Sequence, residues 1–127
     1  MKGAGQVFPP DFLPLPPGAE VVAPNIAPDR QTGIGSCTDD QIARAIRDGV
    51  ARGGRPLFDV MPYWRYRVLS NEDVKSIIVY LRSLRPVHNA LPATKMPFPI
   101  QVNLNEAQVP PLPKDASPLV RHIWELV

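Results

Sequence analysis

The chain has 127 residues, with 14 Lys and Arg against 12 Asp and Glu, so its net charge is +2; this is enough for one small core, and too balanced for a nucleic-acid binder. Seventeen prolines and 8 glycines imply a compact centre with proline-stiffened arms, and no apolar run approaches the roughly 20 residues of a bilayer span, so any leader or anchor is expected outside these residues. The single cysteine, Cys37, excludes an intramolecular disulfide, a zinc ribbon built on paired cysteines and a Cys-x-x-Cys redox motif.

Residues 1–24 carry Pro9, Pro10, Pro14, Pro16, Pro17 and Pro24 among Phe8, Phe12, Leu13, Leu15, Val21 and Val22. That spacing forbids a helix while the apolar side chains seek burial, so the segment is expected to lie extended against the body of the domain. Residues 25–36 form a turn-rich loop, with Asn25, Asp29 and Thr32 suited to side-chain-to-backbone bonds and Gly33 and Gly35 to tight turns. Thr38 and Gln41 then make a capping box, and Asp39 and Asp40 complement the first-turn dipole. Ile42, Ala45, Ile46 and Val50 give the apolar stripe of a first helix, with Arg44, Arg47 and Asp48 facing out and the end falling within residues 49–54.

Residues 53–56, Gly-Gly-Arg-Pro, break the chain before Leu57, Phe58, Val60 and Met61 restore apolar character. Pro62 then imposes a bend with the Met61 thioether at its head. Such a methionine is either a flexible core filler or a soft ligand offered to a metal. Ser70 caps a second helix, with an acid, Asp73, three residues on; Val74, Ile77, Ile78, Leu81 and Leu84 form its stripe, Arg82 and Arg85 complement its C-terminal dipole, and Pro86 stops it. Beyond Val87 the chain is irregular, save for an alternating run at 100–104 and a short terminal helix at 118–127 with Ser117 as N-cap. The expected organisation is an arm at 1–24, a helical core at 25–86 and a proline-rich tail at 87–127, all-α in class.

Several motifs follow in fixed order: Asn25-Ile26-Ala27-Pro28-Asp29, Thr32-Gly33-Ile34-Gly35, Thr38-Asp39, Arg44-Ala45-Ile46-Arg47, Gly54-Arg55, Met61-Pro62-Tyr63, Leu69-Ser70, Glu72-Asp73 and Tyr80-Leu81-Arg82-Ser83-Leu84. Over roughly residues 18–92 this series resembles a class I c-type cytochrome domain, as in the cytochrome c subunits of membrane-bound alcohol and sugar-acid dehydrogenases. The resemblance implies a cytochrome c-like all-α fold and an electron carrier rather than an enzyme. It implies haem c as cofactor, Met61 as axial ligand to the iron, and a loop at 25–36, including Ile34, packed along the porphyrin. Tyr63 and Trp64 would pack near the haem, Asn25 would make polar contacts to its surroundings, and Arg55 would pair with a propionate. A redox partner or dehydrogenase subunit and a location in the periplasm or on the outer face of the cytoplasmic membrane follow from the same resemblance.

The sequence departs from the pattern in lacking the Cys-x-x-Cys-His attachment motif and the helix that bears it. Covalent haem attachment through this chain alone is therefore not expected, and a haem-free structural or docking module on the same scaffold is the alternative reading. His88, after the second helix, reads as a solvent-facing or helix-capping imidazole, and Cys37 as a small half-buried hydrophobe. Arg44, Arg47, Arg52, Arg55, Arg65 and Arg67 read as a solvated basic face that would also steer an acidic partner. No Ser-His-Asp set, paired carboxylates or phosphate-cradling loop is present.

Overall fold

Two helices carry the core, and each begins where a hydroxyl caps it. The computed structural model describes residues 3–101 and Pro118. In it α1 runs over Asp39–Asp48, with the Thr38 hydroxyl accepting from the Gln41 N–H at 3.2 Å and the Gln41 side chain accepting from the Thr38 N–H at 2.9 Å. Both halves of the expected capping box are thus made, which satisfies two of the N–H groups that a helix start leaves unpaired. Gly49 closes α1 in the left-handed region, at φ 66°.

A single turn, α2 (Tyr63–Tyr66), follows the Met61-Pro62 bend. The sequence reading took Pro62 only as a breaker; here it sits immediately before the first helical residue, where a missing N–H costs nothing. The longer α3 spans Asn71–Ser83, and the Ser70 hydroxyl accepts from the Asp73 N–H at 3.1 Å.

Ile42 of α1 and Val74 and Ile78 of α3 form the buried cluster, with Ile34, Cys37, Ala43, Ile46, Leu69 and Leu81 packed against it. The expected α3 stripe is narrower than its periodicity implied. Of its members Ile77 is 37 % exposed, because α1 covers only the ridge that runs through Val74 and Ile78. Arg47, expected to face out, instead donates to the Asn71 side chain at 2.8 Å and to the Leu69 carbonyl, tying α1 to the start of α3.

The arm differs from a simple extended strap. Strands β1 (Gln6–Val7) and β2 (Val22–Ala23) pair antiparallel, Gln6 opposite Ala23 and Val7 opposite Val22. The prolines between them therefore lie in a returning loop, where Phe8 and Phe12 stack with centroids 4.3 Å apart. The chain after α3 runs back along this pair: Glu20 and Lys95 exchange backbone bonds of 2.7 and 2.8 Å, and Thr94 Oγ1 accepts from the Val22 N–H at 3.0 Å. A short β pair is thus added to the expected helical class. Residues 102–104 of the alternating run, and 119–127 of the expected last helix, lie outside the described residues; Pro118 itself is helical. Among the described residues no helix is long and apolar enough to cross a membrane.

Candidate functional site

The site residues singled out in the sequence lie on the two segments that flank α1, the second of which ends in the turn of α2. Asn25 and Ile34 precede the helix, and Arg55, Met61, Tyr63 and Trp64 follow it. Arg52 links the two loops, donating to Ser36 Oγ, which in turn donates to the Arg30 carbonyl at 3.1 Å.

The loop after α1 is built as a tight return. Val50 bridges Pro56, the Ala51 N–H donates to the Arg55 carbonyl at 2.8 Å, and the Leu57 N–H donates to the Gly49 carbonyl at 2.7 Å. Arg55 is exposed at the base of this return. From Leu57 the chain reaches the bend, where Val60 is 49 % and Met61 37 % exposed. Neither belongs to the buried cluster between α1 and α3. Tyr63, two residues on, is fully buried. Trp64 is half-buried beneath the Arg65 guanidinium, 4.8 Å from its ring centroid, a cation–π arrangement.

The loop before α1 is held by its own polar side chains. Asn25 is buried; its Nδ2 donates to Thr32 Oγ1 at 3.1 Å and to the Val87 carbonyl at 2.8 Å, while its Oδ1 accepts from the Ala27 N–H at 3.0 Å. Asp29 Oδ2 accepts from the Thr32 N–H at 2.8 Å and the Thr32 hydroxyl at 2.6 Å, and His88 Nδ1 lies 3.5 Å away. The Thr32 hydroxyl bond, then its backbone bond, with a contribution from His88, hold the Asp29 carboxyl below the usual carboxylate range. The Thr32 oxygen also accepts from the Asn89 N–H at 2.9 Å. This network, reaching from the loop to the segment after α3, was missed as a unit in the sequence; an Asp with Thr three residues on is the local signal for half of it. Gly33 belongs to the same construction, since a Cβ there would meet the Ala27 carbonyl oxygen. Ile34 packs inward on the α1–α3 cluster.

Among the described residues no group of three His, Cys, Asp or Glu side chains is placed to hold a metal ion. The donor chemistry at the bend is a single soft thioether, which suits one axial position of a haem iron and needs a second donor opposite.

A c-type cytochrome relationship is shown by comparison with known proteins. The chain is homologous to the cytochrome subunit of fructose dehydrogenase from Gluconobacter japonicus, at 37 % identity over 87 residues, which is 68 % of this chain. It is likewise 36 % identical over 103 residues, 80 % of the chain, to the cytochrome c subunit of gluconate 2-dehydrogenase from Pantoea cypripedii. The cytochrome c subunit of a quinone alcohol dehydrogenase from Gluconobacter oxydans (strain 621H) matches at 27 % over 87 residues. The chain spans about a fifth of the length of these relatives, 18 % of the first and third and 23 % of the second. No protein-family model matches it. The relatives and the three helices together fit a cytochrome c-like fold, and cytochrome subunits of dehydrogenases support electron transfer as the general role.

Proposed function

We propose that this chain is the methionine-bearing part of an electron-transferring c-type cytochrome domain, with Met61 as an axial ligand of haem c. The observation that carries the reading is a thioether left 37 % exposed, outside the core, at the head of a constrained bend. Haem supplies a one-electron iron couple, and a thioether ligand favours the ferrous state and raises the potential. The chain's own part is to hold that sulfur still. The return at residues 50–56 and the buried Tyr63 fix the bend, while the Asn25 and Asp29 networks fix the loop before α1. In the same reading Ile34 and Trp64 supply apolar contacts, Arg55 is free to meet a propionate from its exposed position, and Asn25 acts by bracing the loop that borders the haem.

One cysteine is present, so the two attachment sulfurs do not both come from this sequence; in this reading the second axial donor comes with the attachment motif, from other polypeptide. Substrate oxidation belongs to a dehydrogenase partner, with this chain non-catalytic and acting at the periplasmic side.

The test uses a short haem c peptide whose own Cys-x-x-Cys-His segment carries the haem and fills one axial position. Added to the purified chain, it is expected to give a low-spin spectrum with the long-wavelength band of thioether–iron ligation. Met61→Ala should abolish that band and Met96→Ala should leave it. Binding that ignores Met61→Ala, or no binding by a cooperatively folded chain, overturns the assignment and favours the haem-free docking module.

A further inference from the structure

The bend that carries Met61 is anchored at both ends on one residue, Gly49. On the near side the Gly49 carbonyl accepts from the Leu57 N–H at 2.7 Å. On the far side the Tyr63 ring lies against the Gly49 Cα so closely that a Cβ there would fall under 3.0 Å from its Cζ, Cε1 and Cε2 atoms. Gly49 also has φ 66°, where an L side chain is strained in its own right. Between these two anchors lie only residues 58–62.

Tyr63 transmits its placement directly to Met61. Its N–H donates to the Met61 carbonyl at 2.7 Å across Pro62, whose ring limits φ to its observed −78°. A one-turn helix such as α2 has no stability of its own, so its position comes from what its side chains bury. Among the described residues Tyr63 is the large side chain that is fully buried. The Arg67 guanidinium lies 5.7 Å from the Tyr63 centroid and 4.0 Å from Asp48, which ties the end of α2 back to the last turn of α1.

We propose that Tyr63, seated against Gly49, is the positioning residue for the Met61 thioether. This rests on the reading of Met61 as a ligand, and the contact acts through the backbone of the bend. Any side chain at position 49 would push the ring away and draw Met61 with it. In that sense the C-cap glycine of α1 sets where the sulfur sits.

The experiment needs no haem and therefore stands apart from the test of ligation. The full chain is labelled with 13C at the methionine and isoleucine methyls, and the Met61 signal is followed with Met96 and the Ile78 methyls as references for the fold. Gly49→Ala is expected to shift or split the Met61 signal by several line widths while the references hold. Gly53→Ala is the control: its φ is +85° with nothing within 4 Å of the added Cβ, so it carries the same backbone cost without the ring contact and should leave Met61 in place. Tyr63→Leu, which keeps the residue apolar but removes the ring, should displace Met61 as Gly49→Ala does and decides the matter if Gly49→Ala does not fold. An unmoved Met61 signal in a folded Gly49→Ala or Tyr63→Leu chain, or an equal shift in Gly53→Ala, overturns the proposal. So does loss of the fold in both ring-contact variants, because the contact would then serve the whole domain rather than the thioether.

Discussion

Arg82, in the last turn of α3, grips Asp39, the first residue of α1, with two nitrogens on one oxygen: Nε at 2.8 Å and Nη2 at 2.6 Å from Oδ1. Nη2 also donates to the Cys37 carbonyl at 2.9 Å. The arginine expected to complement its own helix dipole thus joins the end of α3 to the beginning of α1. With side chains 35 % and 71 % exposed, the ion pair is well screened by water, and its coupling should be modest.

A double-mutant cycle of Arg82→Ala and Asp39→Ala is expected to give a coupling of about 0.2–1 kcal/mol that shrinks with added salt. Arg82→Ala alone should cost more than that coupling, since it also strips the Cys37 carbonyl of a donor. Urea unfolding at low and high ionic strength measures both quantities. A coupling indifferent to salt would contradict the screened-pair account.

Asn25 is a different case, because its amide is buried and fully employed. Asn25→Ala removes the amide donor from the Val87 carbonyl and one bond each from the Ala27 N–H, which keeps the Gly3 carbonyl at 3.2 Å, and from Thr32 Oγ1, which keeps Asp29 and Asn89. A loss of about 1–3 kcal/mol is expected, the range for a buried group left short of its partner. Asn25→Asp should be at least as harmful: it keeps an acceptor for Ala27 but sets a carboxylate against the Val87 carbonyl. Thermal unfolding of the three proteins checks the order, and an Asp variant more stable than the Ala variant would refute it.

Asp29 gives the chain a pH dependence whose sign is fixed by its bonds. The Thr32 hydroxyl and N–H stabilise its charged form, so its carboxyl titrates lower in the folded chain than in the unfolded one. Its contribution is therefore fully present above the unfolded value, near pH 4, and is lost as pH falls through the lowered folded value. His88 Nδ1, 3.5 Å away, adds to the same preference when protonated. Asp29→Asn should be less stable than the parent at neutral pH, and the gap should close below about pH 4. Urea midpoints across that interval test it; a gap that stays constant assigns the effect to shape rather than charge.

What could be read in the sequence was local. Thr38 with Gln41 and Ser70 with Asp73 cap helices through bonds spanning three residues, and the structure makes them as expected. The Met61-Pro62 bend was equally visible, because proline constrains its neighbours whatever the fold. The missed features depend on distant partners. Asn25 meets Val87 across 62 positions and Arg82 meets Asp39 across 43, separations that no periodicity encodes. The β1–β2 pair is two residues per strand, too short to show an alternation. Tyr63 was read as a neighbour of the haem, and its contact with Gly49 went unseen because a helix C-cap glycine already has a sufficient local reason to be glycine.

The two isoleucines of α3 separate the face that packs from the face that only looks as though it should. Ile78 is 4 % exposed, within the cluster of Ile42 and Val74, whereas Ile77 is 37 % exposed. Ile78→Ala removes buried carbons and leaves a cavity between α1 and α3, so a cost of about 2–5 kcal/mol is expected. Ile77→Ala gives up only partly exposed surface and exchanges a β-branched residue for the best helix former, so its effect should stay within about 1 kcal/mol. Denaturant midpoints at constant m-value make the comparison. A large loss at Ile77 in the isolated chain would mean that the outer face of α3 is covered in solution, and would require the packing described around Val74 and Ile78 to be revised.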